Sequence, residues 1–214
     1  MKDLAIYGAG GFGKEVCCLV NKINRIENKW NFVGFFDDGK QFNDKISHFG
    51  YVLGGLKEVN LWESPLDLIL CFGKPSTISH IYDKIKNPKI SFPNIIDPNF
   101  NIVDKETFSI GKGNIIKSQC SVTTNVTIGN FNILNAFISI GHDAKIGNFN
   151  VFMPGVRVSG EVEMGDCNLF GASSFIRQQL KFGNNITLSP LSALLTKPKD
   201  GNVYIGNPAK RFKF

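Results

Sequence analysis

The sequence has no long apolar run and no dense block of one charge. Nowhere do the roughly 18 consecutive apolar residues of a membrane span occur, and the first apolar segment is too short for a signal peptide. Lys and Arg are scattered, in runs of no more than two, although the formal net charge is +6. Such a mild excess is typical of a solvated surface or of a protein that attracts an anionic cofactor. The charge alone leaves the partner open; we expect a cytoplasmic protein that has no membrane span and does not bind nucleic acid.

Cysteine and histidine are also scarce. The five cysteines include no Cys-x-x-Cys pair, and an odd number suits reduced thiols in a cytosolic protein. The three histidines have no cysteine or acidic residues at the spacings of a metal site, so we expect no bound metal. By contrast, 43% of the 214 residues are hydrophobic and 20% are charged, which is typical of a globular protein with one large or two small domains.

What the sequence does contain is a repeat of six residues. Every sixth residue from Ile110 to Leu194 is aliphatic or aromatic, and the repeat begins earlier, at Ile96 and Ile102, with two residues inserted before Ile110. Helices and ordinary strands have side-chain periods of about 3.6 and 2, so a period of six indicates short strands separated by turns. The positions are Ile110, Ile116, Val122, Ile128, Leu134, Ile140, Ile146, Phe152, Val158, Met164, Phe170, Ile176, Phe182, Leu188 and Leu194.

A second period, of 18 residues, lies over the first. An apolar residue followed by glycine recurs at this interval, and so does an asparagine. Eighteen residues therefore form one coil with three faces, and successive coils stack at the strand spacing of about 4.8 Å. We expect about five uninterrupted coils, with the glycines and asparagines in turn conformations that other residues avoid. The glycines are Gly111, Gly129, Gly147, Gly165 and Gly183, and the asparagines are Asn114, Asn132, Asn150 and Asn168.

The first ninety residues have no such repeat. Short buried-strand patterns alternate with helical ones, and the second strand ends at Asp37-Asp38. This pattern predicts a small open parallel sheet with flanking helices. The predicted strands are Leu4 to Tyr7, Trp30 to Phe36 and Leu66 to Phe72, and the predicted helices are Lys14 to Ile23 and Thr77 to Lys86.

The loop from Gly8 to Gly13 has the spacing Gly-x-Gly-x-x-Gly. It places backbone N–H groups at a helix N-terminus, where the partial positive charge favours a phosphate. Asp37 and Asp38 follow the next strand, at the edge where such sheets bind ligands. The loop could hold the NAD of an oxidoreductase, a nucleotide attached to another group, or no ligand at all. The chain is short for a full dinucleotide fold plus a catalytic domain, which favours the attached nucleotide.

His142 is the one histidine within the repeats, since His48 and His80 precede them. It is third in the hexad that starts at Ile140, so its side chain should project outward near a corner, with Asp143 beside it. Imidazole can remove a proton from a nucleophile near neutral pH, and a carboxylate on its second nitrogen would orient it. The alternative is a surface histidine without a role. No serine or cysteine is identifiably paired with a base, so we expect direct attack without a covalent enzyme intermediate.

Four further segments, together with the hexads, carry a resemblance to a known family. With them, nearly the whole chain resembles the left-handed parallel β-helix acyltransferases. It resembles the branch that contains sialic acid O-acetyltransferases and N-acetyltransferases of nucleotide-linked 4-amino-4,6-dideoxy sugars. The segments are Ile6-Tyr7-Gly8-Ala9-Gly10-Gly11-Phe12-Gly13-Lys14, Val33-Gly34-Phe35-Phe36-Asp37-Asp38, Leu134-Asn135 with Gly141-His142-Asp143, and Gly206-Asn207-Pro208-Ala209-Lys210.

The resemblance implies a homotrimer with acetyl-CoA in the groove between neighbouring β-helices. It also implies that His142 is the base, that Asp143 supports it and that Asn135 lies near the acceptor. By the same resemblance, Gly160, Gly171 and Ala172 line the pantetheine groove, and Pro208 and Lys210 lie by the nucleotide end of the coenzyme. The residues that would surround the sugar nucleotide are Gly10, Gly11, Phe12, Asp37, Asp38, Gly73 and Lys74.

Two positions depart from the family. Some members carry a second histidine directed towards the thioester carbonyl, where this chain has Val151. If nothing replaces that histidine, a backbone N–H must polarise the carbonyl. The glycine loop often reads Gly-His-Gly in the family, whereas here it is Gly11-Phe12-Gly13, whose aromatic side chain could stack on a base or a sugar.

We predict three segments: an α/β Rossmann-like sugar-nucleotide-binding domain over residues 1–92, a left-handed parallel β-helix acyltransferase domain over 93–197, and a C-terminal tail over 198–214 that packs near coenzyme A. The predicted activity is transfer of an acetyl group from acetyl-CoA to the amine of a nucleotide-activated amino sugar in surface polysaccharide biosynthesis. His142 is the predicted general base. O-acetylation of sialic acid or another sugar, and a non-catalytic β-helix scaffold, remain alternatives.

Overall fold

The structure, a computed structural model, describes residues 1–212, so the last two residues of the predicted tail lie outside it. The chain divides into two compact units, Met1–Ile95 and Ile96–Phe214. The second unit therefore begins at Ile96 rather than at residue 93, and it includes the segment from residue 198 onwards that the sequence set apart as a tail.

The first unit is built on a parallel sheet. Strands β1, β2, β5 and β6 form it in the order β2-β1-β5-β6, and β3 and β4 form a separate antiparallel pair. The predicted open sheet with flanking helices is confirmed, whereas β3, β4 and α2 were not predicted, because each is too short to show a period. The elements are β1 (Lys2–Tyr7), α1 (Gly11–Glu27), β2 (Trp30–Phe36), β3 (Lys45–Ile46), β4 (Gly50–Tyr51), α2 (Leu56–Leu61), β5 (Leu66–Leu70), α3 (Pro75–Lys84) and β6 (Ile90–Ser91).

Burial explains why these segments form this sheet. The last four residues of β1 and all five of β5 are buried, as expected for strands covered on both faces. Helix α1 buries Val16, Val20 and Ile23 at the spacing of one helix face. It begins at Gly11, three residues before the predicted start, and ends at Glu27; the next residue, Asn28, caps it in the left-handed conformation with φ 47°.

The second unit is a three-sided β-solenoid. Its strands form three sheets, in the orders β25-β24-β22-β19-β16-β13-β10-β7, β23-β20-β17-β14-β11-β8 and β21-β18-β15-β12-β9. The fold class predicted from the hexads is confirmed. The strands are β7 (Ile95–Ile96), β8 (Asn101–Ile102), β9 (Ser109–Ile110), β10 (Ile115–Ile116), β11 (Ser121–Val122), β12 (Thr127–Ile128), β13 (Ile133–Leu134), β14 (Ser139–Ile140), β15 (Lys145–Ile146), β16 (Val151–Phe152), β17 (Arg157–Val158), β18 (Glu163–Met164), β19 (Leu169–Phe170), β20 (Phe175–Ile176), β21 (Lys181–Phe182), β22 (Thr187–Leu188), β23 (Ala193–Leu194), β24 (Val203–Ile205) and β25 (Lys210–Phe212).

Each predicted hexad residue is the second residue of a strand from β9 to β23. Strands pair in parallel with the strand one coil away, so that Ile116 lies opposite Leu134, and Leu134 opposite Phe152. From Ile116 onwards the hexad side chains are at most 7% exposed and form one continuous core, against which Ile110 packs half-buried. Burial of one large apolar group per strand therefore supplies the main stabilisation of the solenoid.

The repeated glycines do not act as predicted, because none of them has a positive φ. A Cβ on Gly129 would lie 2.6 Å from the carbonyl oxygen of Gly147, and a Cβ on Gly147 would lie 2.5 Å from that of Gly165. These positions require glycine because the backbones of successive coils approach too closely for a side chain.

The left-handed turn conformation falls instead on another position of the hexad. Every sixth residue from Gly113 to Leu191 has φ between 55° and 77°, and most of these residues are not glycine. Bulky residues such as Phe131 and Phe137 adopt this backbone conformation, whose free-energy cost is ordinarily about 1 kcal/mol or more per residue. The stacked coils on either side offset that cost, since the backbone N–H of Phe131 donates to the carbonyl of Lys112 in the preceding coil.

The predicted asparagines follow these left-handed residues and form a buried ladder. Asn132 is fully buried; its Nδ2 donates to the Gly147 carbonyl at 2.9 Å and to Asn114 Oδ1 at 3.2 Å. The next asparagine, Asn150, donates both its backbone N–H and its Nδ2 to Asn132 Oδ1. The asparagines thus do not occupy the turn conformation itself, and they link the coils from inside the corner. A second ladder, which the sequence did not reveal, runs through Asn130, Asn148, Asp166 and Asn184.

We expect Asn132→Ala to lower the free energy of unfolding by at least about 2 kcal/mol, because it leaves the backbone N–H of Asn150 and the Gly147 carbonyl buried without partners. Urea denaturation followed by circular dichroism measures the change. Asn99→Ala is the matched control, since Asn99 is exposed. An equal loss of stability in both variants would contradict the role given to the ladder.

Candidate functional site

The three corners of the solenoid form three edges. The His142 edge comprises residues 123–126, 141–144, 159–162 and 177–180. The Asn135 edge comprises residues 135–138, 153–156, 171–174 and 189–192. The remaining edge carries the asparagine ladder.

His142 projects outward from its edge, with 54% of its side chain exposed. Its Nδ1 lies 2.8 Å from Oδ2 of Asp143, so the expected imidazole–carboxylate pair is formed. A carboxylate on Nδ1 favours the tautomer that carries its proton there, which leaves the Nε2 lone pair available to accept a proton. The arrangement can therefore act as an oriented base.

Gly160 lies directly beside the imidazole, one coil after His142. A Cβ built on Gly160 would lie 2.5 Å from Nε2 and 2.7 Å from Cε1 of His142. Gly141 is equally restricted, because its Cβ would lie 2.5 Å from the backbone nitrogen of Gly160. The two glycines let the ring lie against the backbone of the next coil.

Asp143 is held from its other side by a residue that sequence reasoning missed. Nδ2 of Asn125, one coil earlier, donates to Asp143 Oδ1 at 2.6 Å. This hydrogen bond and the one from His142 lower the pKa of the Asp143 carboxyl, so the carboxylate stays ionised at the pH values where imidazoles titrate. Asn125 precedes Asp143 by one full coil of 18 residues, which is the signal that could have found it.

Asn135 lies on a different edge from His142. It follows strand β13 of the eight-stranded sheet, whereas His142 follows β14 of the six-stranded sheet. It is 8% exposed, and its Nδ2 donates to the carbonyl of Phe152 at 3.0 Å. Within one chain, the structure therefore does not bring Asn135 and His142 together.

Gly171 and Ala172 lie on the Asn135 edge, apart from Gly160. A Cβ on Gly171 would meet the nitrogen of Pro190 at 2.3 Å, and the Ala172 carbonyl accepts the Leu191 N–H. The predicted groove residues are thus divided between two edges of the solenoid. This edge also exposes large apolar side chains, namely Phe137, Met153 and Leu191.

Pro208 and Lys210 are exposed residues of the C-terminal segment. Between them, the Ala209 N–H donates to the carbonyl of Ala193, and Lys210 begins strand β25, which pairs antiparallel with β24. Ala193 follows the last corner of the Asn135 edge. These two residues therefore lie at the end of that edge rather than near His142.

Val151, which stands where some relatives have a second histidine, is 1% exposed. It lies in strand β16, paired with Ile133 and Leu169 of the neighbouring coils. An apolar, buried side chain cannot polarise a carbonyl, so the chemistry of a second histidine is not supplied by this position.

In the first unit, the glycine loop connects β1 to α1. A Cβ on Gly8 would lie 2.5 Å from the Cys71 carbonyl oxygen, and one on Gly13 would lie 1.9 Å from that of Gly8. These two glycines are therefore needed for packing. Around Gly10 and Gly11, by contrast, a Cβ would meet nothing within 4 Å, and both residues are exposed. Open space thus lies over the N-terminus of α1, beside the half-buried Phe12.

Asp37 and Asp38 hold the loops at this edge of the sheet in place. Asp37 accepts the Ala9 N–H at 2.8 Å and the Gly39 N–H at 2.9 Å. Asp38 accepts the Tyr7 hydroxyl and, at 2.9 Å, the Leu56 N–H. Burial and the bond to Asp38 raise the pKa of Tyr7, which keeps its hydroxyl protonated as a donor.

Gly73 and Lys74 follow β5 at the same edge. Both are exposed, and a Cβ on Gly73 would meet nothing within 4 Å. Lys74 is the residue before helix α3, and its carbonyl accepts the N–H groups of Thr77 and Ile78. Because β1, β2 and β5 are parallel neighbours, their carboxyl ends bring together the glycine loop, the two aspartates and Gly73-Lys74.

A cavity at the opposite edge of the same sheet does not carry these features. It is lined by Lys2, Lys29, Asp67 and Ser91 among others, and both Asp67 oxygens already accept hydrogen bonds, from Trp30 and Ser91.

Within residues 1–212, no group of three His, Cys, Asp or Glu side chains is placed to hold a metal ion. None of the helices in the described part of the chain is long and apolar enough to cross a bilayer.

Residues 3–85 match the sequence family described as the PglD N-terminal domain. No curated protein is significantly similar in sequence to the chain.

Solved structures share the fold of the whole chain. The acetyltransferase domain of PglB from Neisseria gonorrhoeae, in complex with acetyl coenzyme A, is 24% identical, with a TM-score of 0.86 and 99% of each chain covered. WeeI from Acinetobacter baumannii is 23% identical, with a TM-score of 0.88, 99% of this chain and 100% of that one covered. PerB from Caulobacter crescentus, in complex with CoA and GDP-perosamine, is 18% identical, with a TM-score of 0.88, 100% of this chain and 98% of that one covered.

We expect Gly160→Ala to displace the imidazole of His142, because the added methyl group would occupy the space of Nε2 and Cε1. A crystal structure of the variant should show the Nδ1–Oδ2 distance to Asp143 lengthened from 2.8 Å to beyond hydrogen-bonding reach. The melting temperature should change little, since the ring can move into solvent. An unchanged imidazole position would contradict the packing described.

Proposed function

We propose that the chain transfers an acetyl group from acetyl-CoA to the amine of a nucleotide-linked amino sugar. The observation that carries the proposal is the exposed His142–Asp143 pair on an edge of the solenoid. Structures similar to nearly the whole chain were solved with acetyl-CoA, or with CoA and GDP-perosamine. The match of the first unit to the PglD N-terminal domain supports the same assignment.

In this mechanism the acceptor amine attacks the thioester carbonyl directly. His142 Nε2 takes the proton that the amine loses, the carbon–sulfur bond breaks, and the thiolate of CoA leaves and is protonated. Asp143 stabilises the imidazolium through Nδ1. A positioned base of this kind contributes about 10²- to 10⁴-fold, and holding both substrates in place contributes the rest.

The open glycine loop supports a nucleotide on the acceptor. A side chain at Gly10 or Gly11 would meet open space at the start of α1, where a helix favours an anion, and the first turn contains no acidic residue. Acetyl-CoA alone would not require a second phosphate site. For that reason we favour a nucleotide-linked sugar over free sialic acid as the acceptor.

The division of the predicted residues between two edges supports a homotrimer. Gly160 and His142 lie on one edge, and Gly171, Ala172 and Asn135 on another. One site can use both sets only if the His142 edge of one copy faces the Asn135 edge of the next. The exposed Phe137, Met153 and Leu191 give the Asn135 edge an apolar surface suited to such a contact or to the pantetheine arm.

Thiol release from acetyl-CoA tests the activity. The acceptors to compare are UDP-, dTDP- and GDP-linked 4-amino-4,6-dideoxy sugars beside free sialic acid. Release with one of the nucleotide-linked sugars supports the proposal. Release only with sialic acid would indicate O-acetylation, and release with none would favour a scaffold without catalytic activity.

We expect His142→Ala to lower kcat about 100-fold or more, because the amine then loses its proton without a positioned base. The KM for acetyl-CoA should change less than kcat, since the exposed ring is not needed to hold the solenoid together. His80→Ala is the control, because His80 lies in the first unit. Near-normal turnover in the His142 variant would remove it from the mechanism.

We expect Gly11→Asp to raise the KM for the sugar nucleotide about 10-fold, because a carboxylate at the phosphate site repels the ligand. The fold should tolerate the change, since a Cβ there meets nothing within 4 Å and an acidic residue favours a helix N-terminus. Gly11→Ser is the control for the added side chain. Unchanged KM values in the Asp variant would place the nucleotide elsewhere.

A further inference from the structure

Asn125 lies one coil before Asp143 on the His142 edge, and the two residues have nearly the same backbone conformation, with φ 57° and 59°. Because both are left-handed residues in the same column, their side chains stack. Asp143 Oδ1 accepts from Asn125 Nδ2 at 2.6 Å, and Oδ2 faces His142 Nδ1 at 2.8 Å. The amide and the imidazole thus contact different oxygens of one carboxylate.

Asn125 is in turn held by hydrogen bonds to the irregular first coil, which precedes it. Its backbone N–H donates to Thr107 Oγ1 at 2.7 Å, and Thr107 Oγ1 donates to Asp104 Oδ2 at 2.7 Å. Thr124 Oγ1 donates to the same Asp104 oxygen at 2.8 Å. Asp104 and Thr107 belong to the segment between β8 and β9 where two residues are inserted into the repeat. The inserted segment therefore supports, through these hydrogen bonds, the stacked residues Asn125 and Asp143 that lead to His142.

We propose that Asn125 is a positioning residue: its amide fixes the Asp143 carboxylate that orients His142, and the hydrogen-bonded segment of Asp104 and Thr107 holds Asn125 in register. The catalytic consequence rests on the proposed function. The geometric part does not, because it concerns only how the imidazole–carboxylate pair is held.

The position calls for an amide rather than a carboxylate. An aspartate at residue 125 would place two carboxylates within hydrogen-bonding distance with no donor between them, and the added negative charge would act on the imidazolium as well. Asparagine donates to Asp143 without adding charge. The other charged groups lining the cavity beside Asp143 are Lys145, Glu161, Glu163 and Lys181.

The same edge offers a matched control two coils further on. Gln179 donates to both oxygens of Glu161, at 3.2 Å and 3.3 Å, so this pair repeats the amide–carboxylate contact. The residue before Glu161 is Gly160, so this pair orients no imidazole. A structural contribution from such contacts should appear at both positions, whereas a positioning role should appear only at Asn125.

The first experiment is a double-substitution cycle on the full chain. Thiol release from acetyl-CoA is measured with the best acceptor of the nucleotide-sugar panel. Asn125→Ala should lower kcat about 10- to 100-fold with the KM for acetyl-CoA nearly unchanged. In an Asp143→Ala background the same substitution should have little further effect, because Asn125 acts through that carboxylate. An equal loss in both backgrounds, or an equal loss in Gln179→Ala, would overturn the proposal.

The second experiment does not depend on activity. The Cε1–H resonance of His142, assigned by its loss in His142→Ala, is followed by NMR as the pH is varied. In Asn125→Asp its titration curve should move to higher pH by about one unit, because a second carboxylate favours the protonated ring. The resonances of His48 and His80 serve as internal references. A curve that coincides with that of the unsubstituted chain would overturn the positioning role even if no acceptor in the panel is acetylated.

Discussion

The structure depends on one constraint: each 18-residue coil must stack on the next at the spacing of hydrogen-bonded strands. That spacing leaves no room for a Cβ on Gly129 or Gly147, and it brings Asn132 and Asn150 within bonding distance inside the corner. It also sets the contacts outside the corner, where Gly160 lies against His142 and Asn125 reaches Asp143. Scaffold and candidate site thus follow from the same interval.

Much of the second unit could be predicted from the sequence because its period is carried by large apolar residues, and each of them turned out to be the inward residue of a strand. Which residues adopt the left-handed turn conformation could not be predicted from the sequence. The residues in this conformation include Phe131 and Leu191, although bulky residues ordinarily avoid a positive φ. Their backbone N–H groups donate to carbonyls of the preceding coil, and such bonds between coils do not show in a local sequence pattern. Asn125 was missed for a similar reason, since its partner lies 18 residues away and no local pattern marks the pair.

The first unit shows a different limit. Strand burial and the glycine spacing predicted the sheet and the loop, but the short helix α2 and the β3–β4 pair are too brief to show a period. The aspartates after β2 were expected at the carboxyl edge of the sheet and lie there. Their hydrogen bonds to Ala9, Gly39 and Leu56 and to the Tyr7 hydroxyl show that they also set the conformation of the loops. A motif can therefore locate a candidate site without showing how many of its groups maintain the local fold.

The last strand, β25, has a consequence for the behaviour of the protein in solution. A stack of nearly identical parallel coils ends in open strand edges, which could accept a coil from another molecule and propagate into a fibre. Here β25 runs antiparallel to β24 and ends the largest sheet. At the end of the six-stranded sheet, the N–H of Ala209 donates to the carbonyl of Ala193. The reversal breaks the parallel register at this end of the solenoid, so the largest sheet does not offer a parallel strand edge on which a coil of another molecule could stack.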